Sequence, residues 1–384
     1  MIPIRSRYTV DNSTARKLQS VGQAFNLKGP FFSYEEITMG NVNHTYKVNY
    51  VTDDGTGMAV LKPYLMQKIN SYAFHNPDEL MSNIDKVTEF IRAKNPDKVN
   101  MHFHHTSVSG ERKTYFSDGD SFWRVYKYIP AVTFDKCDDI ELIRNAGKAF
   151  GEFQMNLNDF PVSDLYYTIP DFHDTKKRYQ KLLKDAAEDP MGRLSEAREE
   201  YDYLVSVMEQ ACRLTQLYEE GKLPLRVTHN DTKINNVLFD KATHEPLVVI
   251  DLDTVMPGLV GHDFGDAIRF AANFEEEDSE NISRIGLDLN TFWAFADGFL
   301  SKTADTLTEL EISTLAQSCF CITCELATRF LDDYLIGDKY FKVKKDKHNL
   351  IRTRSQIALA KDMEKKMDSM QAIVNSCADK YKRV

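Results

Sequence analysis

The feature that most constrains this chain is a change of hydrophobic period about a third of the way along it. From residue 31 to about 128, one insert apart, apolar residues alternate as in half-buried strands: HTYKVNYV, a TDDGTG turn, MAVLKPYLM, then VNMHFHHTSV, a Ser-Gly-Glu turn, TYF, an SDGD turn and FWRVYKYI. The pattern predicts a meander of about five strands. The insert NPDELMSNIDKVTEFIRAKN has Asn76 as N-cap, Pro77 at the first helical position and acids in the first turn, and Leu80, Ile84, Val87 and Ile91 recur at helical spacing. It reads as one amphipathic helix packed on the sheet. Beyond Ile129-Pro130 the period becomes helical, through DDIELIRNAGKAFGEFQMNL, DFHDTKKRYQKLLKDAAED and SEAREEYDYLVSVMEQACRLTQLYEEG. Pro130 removes a backbone donor and restricts its neighbour, which suits a hinge within 126–134. The expectation is an α+β protein with a small antiparallel sheet domain over 1–128 and a larger, mostly helical domain over 129–384.

Length and charge narrow the function. At 384 residues the chain is long enough for about two domains of roughly 150 residues, each with its own core. A formal charge of −10 disfavours nucleic acid or an anionic membrane surface as a partner, because phosphates would be repelled on average. Any phosphate ligand must be met locally. The first residues lack the apolar core of a secretory signal, and no uncharged apolar run approaches the ~18 residues needed to span a bilayer. Six cysteines in a chain of this length fit reduced, mostly buried thiols better than a disulfide framework. A cytoplasmic protein is expected.

The helical region is interrupted once, by LRVTHNDTKINNVLFDKATHEPLVVIDLDTV. Two short apolar runs, 236–239 and 247–250, flank a turn containing His244 and Pro246 and read as a hairpin. A dense polar loop precedes the first strand and Asp251 follows the second, which brings Asp231 and Asp251 to the same end. Asp231 could accept a proton from a hydroxyl, while Asn236 and Asp251 supply hard oxygen ligands to magnesium. Phosphoryl transfer needs this combination of an oriented nucleophile and a metal bridging the phosphates.

The spacing His229-x-Asp231-x4-Asn236, followed by a strand ending in Asp251, resembles the catalytic loop and metal aspartate of the protein-kinase-like superfamily. The literal Asp-Phe-Gly at 263–265 follows the loop MPGLVGH instead of a strand, so Asp251 is the better metal aspartate. Ile250-Asp251-Leu252-Asp253 is similar to the strand end of the aminoglycoside-phosphotransferase branch. The later D-x-G-D at 263–266 is then expected to brace the catalytic loop by hydrogen bonds. Further segments, GNVNHTY, QKIN, NPDELM, the FWR strand, DFGDAIRF, ATRFLDDYLIGDKYF and HNLIRTRSQIALA, spread from residue 40 to 360, resemble the N-acetylhexosamine 1-kinases of the phosphotransferase enzyme family.

That resemblance implies a two-lobed protein-kinase-like fold and transfer of the γ-phosphoryl of ATP, with Mg²⁺, to the anomeric hydroxyl of N-acetylglucosamine or N-acetylgalactosamine. It implies Asp231 as the base, with Lys233 among the catalytic residues, His229 supporting the loop from beneath, and Asn236 and Asp251 on the metal. Gly40 and Asn41 stand where a glycine-rich turn would lie, although one glycine falls short of G-x-G-x-x-G. Lys68, ending an apolar strand before the helix, would neutralise nucleotide phosphates and pair with a helix carboxylate such as Glu79; Lys62 is the alternative, since GTGMAVLKP lengthens this region. His44, Phe270, Arg329 and Tyr340 take the sugar-facing positions. Other branches of the superfamily phosphorylate aminoglycosides, choline, homoserine or methylthioribose.

Two signals carry less. His102, His104 and His105 lack a second ligand pair for a metal site and fit a strand face; Cys319, Cys321 and Cys324 lie in a segment of helical period and fit buried thiols. His262, beside the bracing aspartate, has no evident role. Competing classes are a haloacid-dehalogenase-type phosphatase, from D-x-D-x-T at Asp251, and a non-catalytic binder. The first needs a parallel sheet built after Asp251, where the chain reads as helix and loop; the second would tolerate loss of Asp231 or Asp251, and both are present.

Overall fold

A computed structural model describes residues 12–38, 43–71, 74–106, 112–135 and 137–382. The chain divides into two compact units: the described residues up to Arg92 with Val99–Pro130, and Ala93–Lys98 with Ala131 onward.

The first unit opens with helix α1 (Asn12–Ala24), followed by strands β1 (Phe31–Ile37), β2 (His44–Asp53) and β3 (Ala59–Ile69), helix α2 (Pro77–Lys94) and strands β4 (Phe116–Ser117) and β5 (Phe122–Lys127). The strands form one antiparallel sheet in the order β1-β2-β3-β5-β4. Unbroken register runs from His44 opposite Lys68 to Asp53 opposite Ala59, and from Tyr64 opposite Lys127 to Ile69 opposite Phe122. Period two then sorts the side chains. Val48, Tyr50, Tyr64, Met66, Trp123 and Val125 share the face that packs on Leu18 and Val21 of α1. On the other face, Arg124 reaches Met81 of α2. Helix α2 begins as its sequence dictates, with the Asn76 side chain accepting from the amides of Asp78 and Glu79 at 3.2 and 3.3 Å.

The sheet contains five strands, but not the expected five. Residues 31–37 form β1, whereas the HFHH segment makes only an isolated bridge, Phe103 to Tyr126. It leaves β5 at Thr106, whose amide bonds Lys113 and whose hydroxyl bonds the carbonyl of Ala24 at the end of α1.

In the second unit α3 (Ile140–Asn156) and α4 (Thr175–Glu188) are followed by α5 (Arg198–Ser206), α6 (Met208–Ala211) and α7 (Arg213–Glu219), which replace one expected continuous helix. Val207 and Cys212 interrupt it, with ψ of 5° and 4°. Strand β6 (Arg226–Thr228) pairs with β9 (Met256–Gly258), and β7 (Val237–Phe239) with β8 (Pro246–Val249), both antiparallel. Helices α8 (Val260–Ala271), α9 (Leu289–Thr303), α10 (Glu309–Leu335) and α11 (His348–Tyr381) complete it. Gly265 lets α8 lie close on α10: a Cβ there would fall 2.6 Å from the Ser318 carbonyl oxygen. Asp-Phe-Gly is therefore part of a buried helix. Among the described residues no helix is long and apolar enough to cross a membrane.

Candidate active site

The polar loop runs from the end of β6 to the single 3₁₀ turn Ile234–Asn236 that leads into β7. Two carboxylates of α8 fasten its backbone. Asp263 accepts from the amides of His229 and Asn230 at 2.9 and 2.8 Å, and Asp266 from that of Thr232 at 3.0 Å. The Thr232 hydroxyl donates to the Asp263 carbonyl at 2.6 Å, and Gln154 of α3 donates to the Asp263 carboxylate at 2.6 Å. D-x-G-D braces the loop, as the sequence suggested. Asn230 takes φ of 63°, which asparagine tolerates better than most residues.

Burial pushes the Asp263 carboxyl above its usual pKa, against the three hydrogen-bond donors that favour its charged form. Burial pushes Asp266 the same way, but Arg269 and Lys233 outweigh it and its pKa falls. Arg269 binds Asp266 at 2.9 Å and Glu277 at 2.8 Å, so the brace is itself braced.

His229 is buried beneath the loop, with the rings of Phe150 and Phe153 of α3 edge-on at 5.7 and 5.9 Å. Its Nε2 lies 2.9 Å from the Ile250 carbonyl, and its Nδ1 is 3.3 Å from the Asp231 amide. A carbonyl only accepts and an amide only donates, so the ring is the neutral Nε2–H tautomer. His229 thus ties the loop to the strand end that carries Asp251.

Asp231 is half-buried with both oxygens engaged. Oδ1 pairs with Lys233 Nζ at 2.7 Å, and Oδ2 accepts from Asn236 Nδ2 at 3.0 Å. The same Nδ2 donates to the Asp231 carbonyl at 2.8 Å, so the Asn236 amide spends its donors on Asp231 and keeps its oxygen for another partner. Burial lowers the Lys233 pKa, but Asp231 and Asp266 prevail and raise it, so the cation persists between them. The amide of Ile250 bonds the Asn236 carbonyl at 2.8 Å, which sets Asn236 and Asp251 on adjoining strand ends. Asp251 adopts φ 58° and ψ 59°, a left-handed conformation that costs a residue with a Cβ roughly 1–2 kcal/mol.

One carboxylate and one amide oxygen are hard ligands of the kind Mg²⁺ takes when phosphates and water complete its shell. Among the described residues no cluster of three or more His, Cys, Asp or Glu side chains could make a complete protein cage. The phosphatase alternative fails on topology, because β8 lies in a two-stranded antiparallel sheet and the chain continues from Asp251 into β9 and α8.

Arg329 lies on α10 with its guanidinium 5.3, 5.8 and 5.5 Å from the rings of Phe172, Tyr340 and Phe341. It does not pair with its neighbours: Asp332 binds Lys181, and Asp333 accepts from the amides of Lys339, Tyr340 and Phe341. Tyr340 is 60 % exposed. Phe270 is half-buried beside a small cavity lined by Arg269, Asn273 and Gln356. Phe172 and Phe341 escaped the sequence reading, since only tertiary packing gathers them.

In the sheet unit His44 is exposed, 3.7 Å from Glu36. Lys68 stands opposite His44 and Trp123, on the α1 face, and among the described residues makes no ion pair. The expected pairing of Lys68 with an α2 acid such as Glu79 is therefore not formed, because one step of strand alternation turns the lysine away from α2. Lys62 is opposite Tyr50 on that same α1 face, near the Tyr64 ring at 5.5 Å. Gly40 and Asn41 lie outside the described residues.

His262 is buried, its Nδ1 3.4 Å from the Leu259 amide and its ring 4.8 Å from that of His173. It closes the first turn of α8.

Three solved structures illustrate the fold. An aminoglycoside phosphotransferase from Alicyclobacillus acidocaldarius matches with TM-score 0.61 and 14% identity, covering 93% of this chain and 96% of that one. A microcompartment-associated aminopropanol kinase gives 0.60 and 14%, covering 93% and 98%. A Plasmodium vivax ethanolamine kinase gives 0.52 and 14%, covering 87% and 84%. The sheet, the helical unit and the loop between β6 and β7 thus have the kinase-like α+β arrangement, and with a match over residues 34–296 the chain belongs to the phosphotransferase enzyme family.

Proposed function

We propose that this protein is an ATP-dependent small-molecule kinase that phosphorylates the anomeric hydroxyl of an N-acetylhexosamine. The carrying observation is the fastened loop, in which Asp231 and Asn236 are joined at 3.0 Å beside the strand end bearing Asp251. Asp231 orients the acceptor hydroxyl and takes its proton as the oxygen attacks, and Lys233 holds that carboxylate in place through their 2.7 Å ion pair. Asn236 and Asp251 would hold Mg²⁺, whose charge, when bound, offsets that of the triphosphate. His229 and the α8 carboxylates keep these groups from reorganising.

The acceptor reading draws on the surroundings of Arg329. Arg178 lies near enough for the two guanidinium charges to be felt mutually, with the buried Glu325 as counter-charge. A cationic acceptor such as an aminoglycoside or choline would meet repulsion there, whereas a neutral sugar gains donors to its hydroxyl and acyl oxygens and an aromatic wall from Tyr340 and Phe172. Phe270 is the further packing surface assigned to the acceptor.

The test is ADP release across N-acetylglucosamine, N-acetylgalactosamine, neutral hexoses, aminoglycosides, choline, homoserine and methylthioribose, with NMR of the product to locate the phosphate. N-acetylhexosamines should give the highest kcat/KM and a C1 phosphate. Preference for a cationic acceptor would overturn the sugar assignment and leave the kinase reading standing.

A further inference from the structure

The sheet unit needs a donor for nucleotide phosphates, and the strand registers show which β3 side chain can be one. Lys68 faces α1 with Tyr64 and Met66, the face closed by the apolar cluster around Leu18, Val21 and Trp123. Gln67 faces the other way, opposite Thr45 on β2 and Arg124 on β5. This is the α2 face.

The Gln67 amide is fixed from both ends. Its Oε1 accepts from Arg124 Nε at 2.9 Å, and its Nε2 donates to Thr45 Oγ1 at 2.9 Å. Arg124 can only donate, so the amide cannot flip, and its second N–H has no partner among the described residues. The guanidinium behind it is 2 % exposed, 4.0 Å from Met81 Sδ and 5.8 Å from the Phe103 ring. Its charge is felt at Asp85 of α2, whose carboxylate accepts from Thr114 at 2.5 Å. A buried cation thus joins β3, β5 and the neighbourhood of α2 through one half-buried amide.

Resting on the reading of this protein as an ATP-dependent kinase, we propose that Gln67, not Lys68, is the β3 residue that contacts the nucleotide phosphates, with its free N–H as donor and Arg124 as the positioning residue that orients it. Arg124 polarises the amide it binds and adds positive potential behind it. Neutral β3 contact and buried cation together do what a lysine at this place does in protein kinases.

Isothermal titration calorimetry with ATP, ADP and adenosine on the full chain tests this. Gln67→Met, which keeps volume and removes the donor, should weaken ATP binding by about tenfold to a hundredfold, the worth of a hydrogen bond to a charged group, and leave adenosine unchanged. Lys68→Ala should retain wild-type affinity for all three. Arg124→Lys, which cannot present the same Nε geometry, should lower the ratio of ATP to adenosine affinity, a readout that general loosening of the sheet would not move. Gln67→Glu preserves the acceptor for Arg124 and so the fold, but sets a carboxylate against the phosphates; it covers the case in which Gln67→Met fails to fold, and should abolish ATP binding. ATP affinity lost in Lys68→Ala and kept in the Gln67 variants would overturn the proposal while sparing the kinase reading. Wild-type protein that binds no adenine nucleotide would overturn both.

Discussion

Asp231 is held by a cation on one oxygen and an amide on the other; Asp231→Asn turns an N–H toward one of these donors, but the residue is half-buried and the loop backbone stays fastened by Asp263 and Asp266. Asp231→Asn should fold normally and keep nucleotide affinity, but lose about 10² to 10⁴ in kcat, the contribution of a positioned base. Circular dichroism, nucleotide titration and turnover together check this; near-normal turnover would end the role given to Asp231. Asp263 offers the contrasting case. It receives two backbone amides and the Gln154 side chain, and Asp263→Asn must turn an N–H toward at least one of those donors. A loss of about 1–3 kcal/mol in urea unfolding is expected, with turnover falling although Asp231 is intact. At this scale the sequence was most informative, because His229, Asp231 and Asn236 lie within one short loop whose spacing needs no tertiary knowledge. It was least informative at Lys68, where the question was which face of a strand a residue takes. A one-residue choice between Gln67 and Lys68 is decided by register with β2 and β5, and the amino-acid string contains no direct record of either.

Among the elements, α8 does the most to shape the site, since Asp263, Asp266 and Arg269 all project from it. Its close seat on α10 depends on Gly265, where an added methyl would meet the Ser318 carbonyl 2.6 Å away. Gly265→Ala should therefore cost about 1–3 kcal/mol as the helices part. A drop in kcat with KM little changed should accompany it, because the shift moves the carboxylates that fasten the loop; unchanged thermal stability would refute the close seat. Element boundaries were legible where local chemistry marks them. Asn76-Pro77 announced α2, and the polar loop announced the interruption before β7. The HFHH segment misled because alternation cannot distinguish a strand from a stretch that touches β5 at one bridge. Arg329 was found without its setting, since Phe172 comes from a distant part of the chain and only packing brings it to the guanidinium.

At the scale of the molecule, each unit shelters imidazoles from water, and acid should act on both. Burial, with His173 and Glu325 as smaller influences, takes His262 of the helical unit from 6.5 to about 3, and burial likewise takes His104 of the sheet unit to about 4. A group whose folded pKa is depressed binds protons preferentially when unfolded, so the stability it lends is present above 6.5 and is lost as pH falls toward the folded value. For His262 alone the loss between pH 7 and pH 5 is about 2 kcal/mol by linkage. Asp85 in the sheet unit and Asp332 in the helical unit act in the opposite sense, because burial raises both to about 6 and the folded state then gains on acidification through that value. Cancellation is partial, and these four groups together should leave the wild type about 1 kcal/mol less stable at pH 5 than at pH 7, read from urea unfolding. Removing one side of the balance exposes the other. His262→Gln, even if destabilised at pH 7 by imperfect packing, should gain relative to wild type as the pH is lowered, by about 2 kcal/mol at pH 5. The separate units provide a control, since the transition of the sheet unit should keep its wild-type pH dependence in this variant if the two unfold as distinct steps. A constant difference between variant and wild type across pH 7 to 5 would mean that the His262 ring takes up its proton without unfolding, contrary to its burial at the first turn of α8.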